Sequence, residues 1–287
     1  MQTPTLQVRD LNFLLQPTNF HPLPTNTLLP AFLAAPAPPS NATPATLLQT
    51  LHFRAAAIAA ATALTAAPAP SNAEVLELWY IRLLALTLAG FTALAAQELK
   101  AFQDLASSFY LDPGTGRSIL PWELRVLAVA LGPDPRRAVA AYYELAAECR
   151  AAALDAALPD AERAVWRTRL RELGVRVANT LVGMGDYGAT VRHLRGLADQ
   201  RKDGWLGLVY LRAGMVAEAR KLVGGDEGLE GLVLMAEGEW EAAGDVWRRL
   251  QGEMARSNEA VCELYMGRVE NVCAVKSTRC VLPANYA

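Results

Sequence analysis

From Glu74 to about Tyr265 apolar residues return at helical spacing almost without a break, and no stretch alternates with period two for long enough to make a strand. Each helix-length segment ends at a Gly or Pro, and the next begins within a few residues. Connections that short force neighbouring helices to run antiparallel. Upstream the pattern differs. The first 70 residues hold 11 of the 17 prolines and only three charged side chains, Arg9, Asp10 and Arg54, so no helix can grow through 17–44. Residues 1–45 therefore read as a Pro- and Ala-rich, largely disordered segment, in which Leu11–Leu15 and Leu28–Phe32 are short apolar pieces able to dock. A helix is expected over Thr46–Ala66, ended by Pro68 and Pro70.

One local grammar recurs: a turn, then a small residue, then a bulky one four places later. The pairs are Ala95 with Leu99, Ala138 with Tyr142, Thr190 with Leu194, Ala219 with Val223, and Ala243 with Trp247. In four of them a glycine stands five residues before the small position: Gly90, Gly185, Gly214 and Gly238. In the second pair the turn is Gly132-Pro133-Asp134-Pro135. Residues four apart share one helix face. A small side chain lets two helices cross closely, the bulky one fills the space a turn later, and glycine reverses the chain with positive φ.

The clearest unit is Trp205 to Gly214, with Gly207 small, Tyr210 aromatic and Ala219 following; this resembles the tetratricopeptide (TPR) consensus. Met184-Gly185-Asp186-Tyr187 and Glu237-Gly238-Glu239-Trp240 are similar turns. The fold class expected is all-α, a TPR-like α-solenoid of antiparallel helix pairs over 46–267. The small positions are unevenly spaced, so the array is degenerate. After Gly267 the pattern fails: position 272 is Val where a small residue is expected, and 268–287 reads as an irregular tail. The expectation is a last repeat truncated or misjoined near Val269.

Net charge is −2, without the basic excess of a nucleic-acid binder. The uncharged run Leu83–Ala96 is too short to span a membrane, which takes about 20 apolar residues, and the N-terminus lacks a secretory pattern. Cys149, Cys262, Cys273 and Cys280 form no C-x-x-C pair and His21, His52 and His193 are far apart, so no metal, cofactor or small-molecule site is expected. Gly183-Met184-Gly185-Asp186-Tyr187-Gly188 spells a dinucleotide fingerprint, but a helix rather than a strand is expected before it. No catalytic set stands out. Arginines crowd 163–202, read either as a solvated face or as a docking patch for an acidic partner. Arg167, Arg176 and Asn179 are the candidate partner-binding residues.

Several runs resemble one family. Leu78-Trp79-Tyr80-Ile81-Arg82-Leu83-Leu84-Ala85-Leu86 with Gly90, Phe109-Tyr110 with Gly116 to Arg125, and Val165 to Leu170 with Val177 to Leu181 and Gly185-Asp186-Tyr187 are similar to the subunit 12 family of the TRAPP (trafficking protein particle) complex. Asn258-Glu259-Ala260-Val261-Cys262 with Leu264 to Gly267 resembles that family's last repeat. The resemblance covers about 46–268. It implies a non-catalytic scaffold subunit of a vesicle tether that exchanges guanine nucleotide on a Rab GTPase in ER-to-Golgi transport and autophagy. It also implies a cytoplasmic protein, peripheral at Golgi and ER–Golgi intermediate membranes, whose partners are other subunits. The alternative is a free-standing TPR adaptor that binds a peptide tail.

Overall fold

The computed structural model describes residues 9–24, 42–114, 116–197 and 202–272. These are all-helical. The one extended pairing among them is an isolated antiparallel bridge between Leu111 and Ser118. The chain forms two compact units, one ending at Ala141 and one beginning at Tyr142.

The first unit contains α1 (Pro44–Gln49), α2 (Phe53–Leu64), α3 (Asn72–Leu88), α4 (Thr92–Leu99) and α5 (Trp122–Ala130). Helix α3 packs on α2, α4 and α5 and carries the core residue Trp79, which is fully buried. It opens on a capping box, in which Ser71 caps the Glu74 amide and the Glu74 carboxylate returns to the Ser71 amide. The helix expected over Thr46–Ala66 is instead two. Leu51 adopts φ +64°, His52 N–H reaches back to the Leu47 carbonyl at 2.9 Å, and the Thr50 hydroxyl donates to the Thr46 carbonyl. That closure normally uses glycine, and no glycine marks it here. Helix also gives way at 103–121, where a 3-10 turn at Ser108–Tyr110 and the Leu111–Ser118 bridge replace the continuous helical pattern.

Disorder over 1–45 does not hold for 9–24. Two 3-10 turns, Asn12–Leu15 and Pro17–Asn19, lay Leu11 and Leu14 into the core, as the apolar piece Leu11–Leu15 suggested. Trp79 Nε1–H donates to the Leu14 carbonyl at 3.1 Å, and the Phe20 ring lies 5.0 Å from Trp79. Proline prevents a helix in this segment but not docking, because its carbonyls are free to accept bonds from the unit beneath. Leu28–Phe32 lies outside the described residues.

Beneath this segment Arg82 and Glu98 make a buried ion pair, 2% and 1% exposed. Arg82 donates to both Glu98 oxygens, at 2.8 and 2.5 Å, and to the carbonyls of Ala57 and His21 at 3.0 Å. Glu98 also accepts from the His21 amide at 2.8 Å. Buried charges are tolerated only when so fully bonded. The network ties α2, α3, α4 and the N-terminal segment together.

The second unit takes in α6 (Pro135–Leu154) from Tyr142 onward. It continues through α7 (Asp160–Gly183), α8 (Tyr187–Arg195), α9 (Lys202–Arg212), α10 (Val216–Arg220), α11 (Glu227–Glu237), α12 (Trp240–Arg249) and α13 (Glu253–Tyr265). Packing follows chain order: α7 on α8, α8 on α9, α9 on α10 and α11, α11 on α12, α12 on α13. Apolar clusters follow the same order, one around Leu206, Val209 and Leu229 and the next around Trp247 and Cys262. The tail expected to be irregular from 268 is helical at 269–272, and Val272 is buried. The buried slot after Gly267 thus holds a valine. Residues 273–287, with Cys273 and Cys280, lie outside the described residues.

Candidate functional site

Five turns share one geometry. Gly90, Gly185, Gly214, Gly238 and Gly267 have φ between +74° and +85°. In each the amide one residue past the glycine donates back to the carbonyl five residues earlier: Phe91 to Leu86, Asp186 to Leu181, Met215 to Tyr210, Glu239 to Leu234 and Arg268 to Glu263, at 2.8–3.0 Å. This is the Schellman closure of a helix end, and a side chain at the left-handed position would strain it. The residue after glycine caps the next helix. The small residue five past glycine then donates to that cap's carbonyl: Ala95 to Phe91, Thr190 to Asp186, Ala219 to Met215 and Ala243 to Glu239. All four small residues are fully buried. Thr190 is accommodated because its hydroxyl donates to the Asp186 carbonyl at 2.7 Å.

The bulky partners Leu194 and Trp247 are buried, while Leu99 and Val223 are half-buried against the same cores. The Gly132 turn departs from the series: Gly132 lacks positive φ, Ala138 is only half-buried, and Tyr142 is buried. Tyr187 packs half-buried on the second unit's core, and Tyr210 is buried with its hydroxyl accepting from Arg195 at 2.7 Å.

A second register runs alongside the first. Ala178, Gly207, Gly231 and Ala260 each stand seven residues before a turn glycine, and all are buried. A Cβ on Gly207 would fall 2.5 Å from Leu229 Cδ2, and one on Gly231 would fall 2.7 Å from Trp247 Cε2. Gly207 was legible as a small position. Gly231 and Ala260 were missed although the same spacing marks them.

Two grooves open on the second unit. One, about 200 Å³, is lined from α7 by Ala178 and Asn179, from α8 by Thr190 and Leu194, and from α9 by Trp205 and Arg212. Asn179 is exposed at its edge. Arg176 is not among its lining residues; its guanidinium lies by Tyr142 on α6, where burial raises the phenol pKa and the charge of Arg176 opposes that rise. Arg167 is exposed nine residues earlier on α7, about 13 Å along the axis, so the three candidates do not form one site. The other groove, about 260 Å³, lies among α6, α7 and α8.

The decoy fingerprint is closed off. Gly183 ends α7, Gly185 is the left-handed turn and Gly188 lies in α8, so no strand leads into it. Among the described residues no group of three His, Cys, Asp or Glu could hold a metal, and Cys149 and Cys262 are buried and not joined in a disulfide. No described helix is long and apolar enough to cross a membrane.

The chain is thus an all-helical protein whose helices are closed by repeated glycine turns. Comparison with protein-family models, with curated proteins and with solved structures finds no match for it.

Proposed function

We propose that the chain is a TPR-like α-solenoid acting as a non-catalytic scaffold subunit of a TRAPP-type tether, which exchanges guanine nucleotide on a Rab GTPase in ER-to-Golgi transport and autophagy. The observation that carries the scaffold part is the repeated turn, with one glycine geometry and one buried small position recurring along the chain. Units of this kind bury their apolar faces only by stacking and leave extended surfaces and exposed ends for partners. The TRAPP assignment, and with it a cytoplasmic location at Golgi and ER–Golgi intermediate membranes, rests on the resemblance of the Trp79, Tyr110–Arg125 and Trp166 runs. A tagged chain isolated from native lysate should bring TRAPP subunits with it, and recovery as a lone monomer would refute the proposal.

One observation favours the adaptor reading. Asn179 and Arg212 face the same α7–α9 groove, which could seat a peptide tail. Calorimetry with a tail peptide should then show binding that Asn179→Ala abolishes; binding that survives the substitution would exclude this groove.

A further inference from the structure

The groove among α6, α7 and α8 is built differently from the one at Asn179. Its floor is apolar, made by Ala146 on α6, Leu170, Leu173 and Val177 on α7, and Leu197 beyond α8. Gly174 shapes that floor: a Cβ there would fall 2.7 Å from Leu197 Cδ2, so the glycine lets Leu197 lie close on α7 without turning its methyls aside. One wall is fixed by His193, which reaches across from α8. Its Nε2 lies 2.8 Å from the Gly174 carbonyl, which can only accept, so Nε2 carries the proton. Nδ1 is hydrogen-bonded to the Tyr143 hydroxyl at 2.9 Å. The Tyr143 ring stands edge-on to His193 and is 44% exposed at the mouth. The wall is therefore held in place before any ligand arrives.

The rim is cationic. Arg150 on α6 and Arg171 on α7 both line the groove and are both exposed. Neither has a carboxylate partner among the described residues; Arg171 donates to the Thr168 hydroxyl at 3.2 Å. Among the described residues that line the groove none is acidic. Arg163 and Arg248, by contrast, each have a carboxylate one turn away on their own helix, Asp160 and Asp245. Two guanidiniums with no carboxylate partner among the described residues, flanking an apolar slot with an exposed tyrosine beside them, are complementary to a chain that carries both negative charge and a bulky apolar side chain. At about 260 Å³ the slot is below the ~300–1,000 Å³ of pockets that enclose small-molecule ligands. It suits a side chain or two of a peptide.

We infer that this groove docks an acidic segment of a partner protein, with one apolar side chain on the Ala146–Leu173–Val177 floor and flanking carboxylates on Arg150 and Arg171. The inference deepens the scaffold reading and rests on it. The test is fluorescence anisotropy on the purified full chain, with a short fluorescein-labelled peptide carrying leucine and phenylalanine among glutamates. Saturable binding is expected. It should weaken about tenfold in the double variant Arg150→Gln/Arg171→Gln, the loss of two exposed charge contacts, and weaken further as salt is raised. It should be unchanged by Arg256→Gln, an exposed position on α13 outside both grooves. Ala146→Leu, which fills the slot, should also weaken it at an unchanged circular dichroism spectrum. Failure of the natural-sequence chain to bind, equal binding of a peptide with lysine in place of glutamate, or full affinity in the double variant overturns the inference. A chain that co-purifies with partners but ignores the peptide loses only this groove, whereas one that purifies alone loses the scaffold reading itself.

Discussion

Gly231→Ala is the sharpest perturbation of the repeat packing. On helical propensity alone, Ala should stabilise α11 by about 0.8–1.0 kcal/mol over Gly. The new Cβ, however, would fall 2.7 Å from both Cε2 and Cζ2 of Trp247 and 3.1 Å from Nε1. Carbon atoms in good contact lie about 3.5–4.0 Å apart, so the indole would have to retreat by roughly 0.8 Å. It has little room: Trp247 is 1% exposed, its Nε1–H points at Met235 Sδ at 3.2 Å, and Ala243, Ala255 and Cys262 close the cluster. Overpacking of this kind costs about 1–3 kcal/mol, leaving a net loss of up to about 2 kcal/mol after the propensity gain. Gly183→Ala is the control, because nothing lies within 4 Å of its Cβ and its φ is not positive. It should be neutral or stabilise by up to about 1 kcal/mol. Gly207→Ala should fall between them, since the atoms it meets are the terminal methyls of Leu229, which can rotate aside as an indole cannot. Urea unfolding followed by circular dichroism, with hydrogen exchange over 227–265 as the local readout, gives the ranking. If Gly231→Ala proves as stable as Gly183→Ala, the close approach of α11 and α12 is not a tight crossing and the argument from small residues fails.

Glu98→Ala should destabilise the first unit by about 3–5 kcal/mol, because it strands the buried Arg82 guanidinium and frees the His21 amide; hydrogen exchange over 72–99 and limited proteolysis near 9–24 would report it, and a loss below about 1 kcal/mol would refute it. Ala219→Leu should cost about 1–3 kcal/mol by overpacking a fully buried position in the short helix α10, measured by the same denaturation. Burial pushes the Cys262 thiol pKa up, with Glu263 adding to the rise, so iodoacetamide at pH 8 should leave Cys262 unmodified in the folded chain and label it in urea by mass spectrometry; rapid native labelling would show that α13 is not seated on α12. The Glu237 carboxyl is held below its ordinary range, foremost by hydrogen bonds from Arg220. Its contribution is present above the ordinary glutamate range and lost as pH falls through the lowered value, so Glu237→Gln should flatten that part of the acid-unfolding curve.

The sequence by itself determined the helical class, the turns and the buried small residues. These are local matters: a Schellman closure needs glycine at one backbone position, and the spacing from that glycine to the first inward residue of the next helix follows from helix geometry. Gly90, Gly185, Gly214 and Gly238 could therefore be read without a structure, and Gly231 and Ala260 lay in the same register. Only the tertiary structure decided the rest. The break at Leu51 uses the same closure without a glycine to announce it. The docking of 9–24 depends on Trp79, Arg82 and Glu98, tens of residues away in the chain, which supply partners for its backbone. Arg176 and Asn179 are three residues apart on one helix, yet Arg176 turns back to Tyr142 while Asn179 faces α9. The cationic groove gathers Arg150, Arg171 and His193 from three helices. Periodicity fixes which way a residue faces on its own helix, but which neighbour it meets there is set by the packing of helices, and no spacing along the chain encodes that distance.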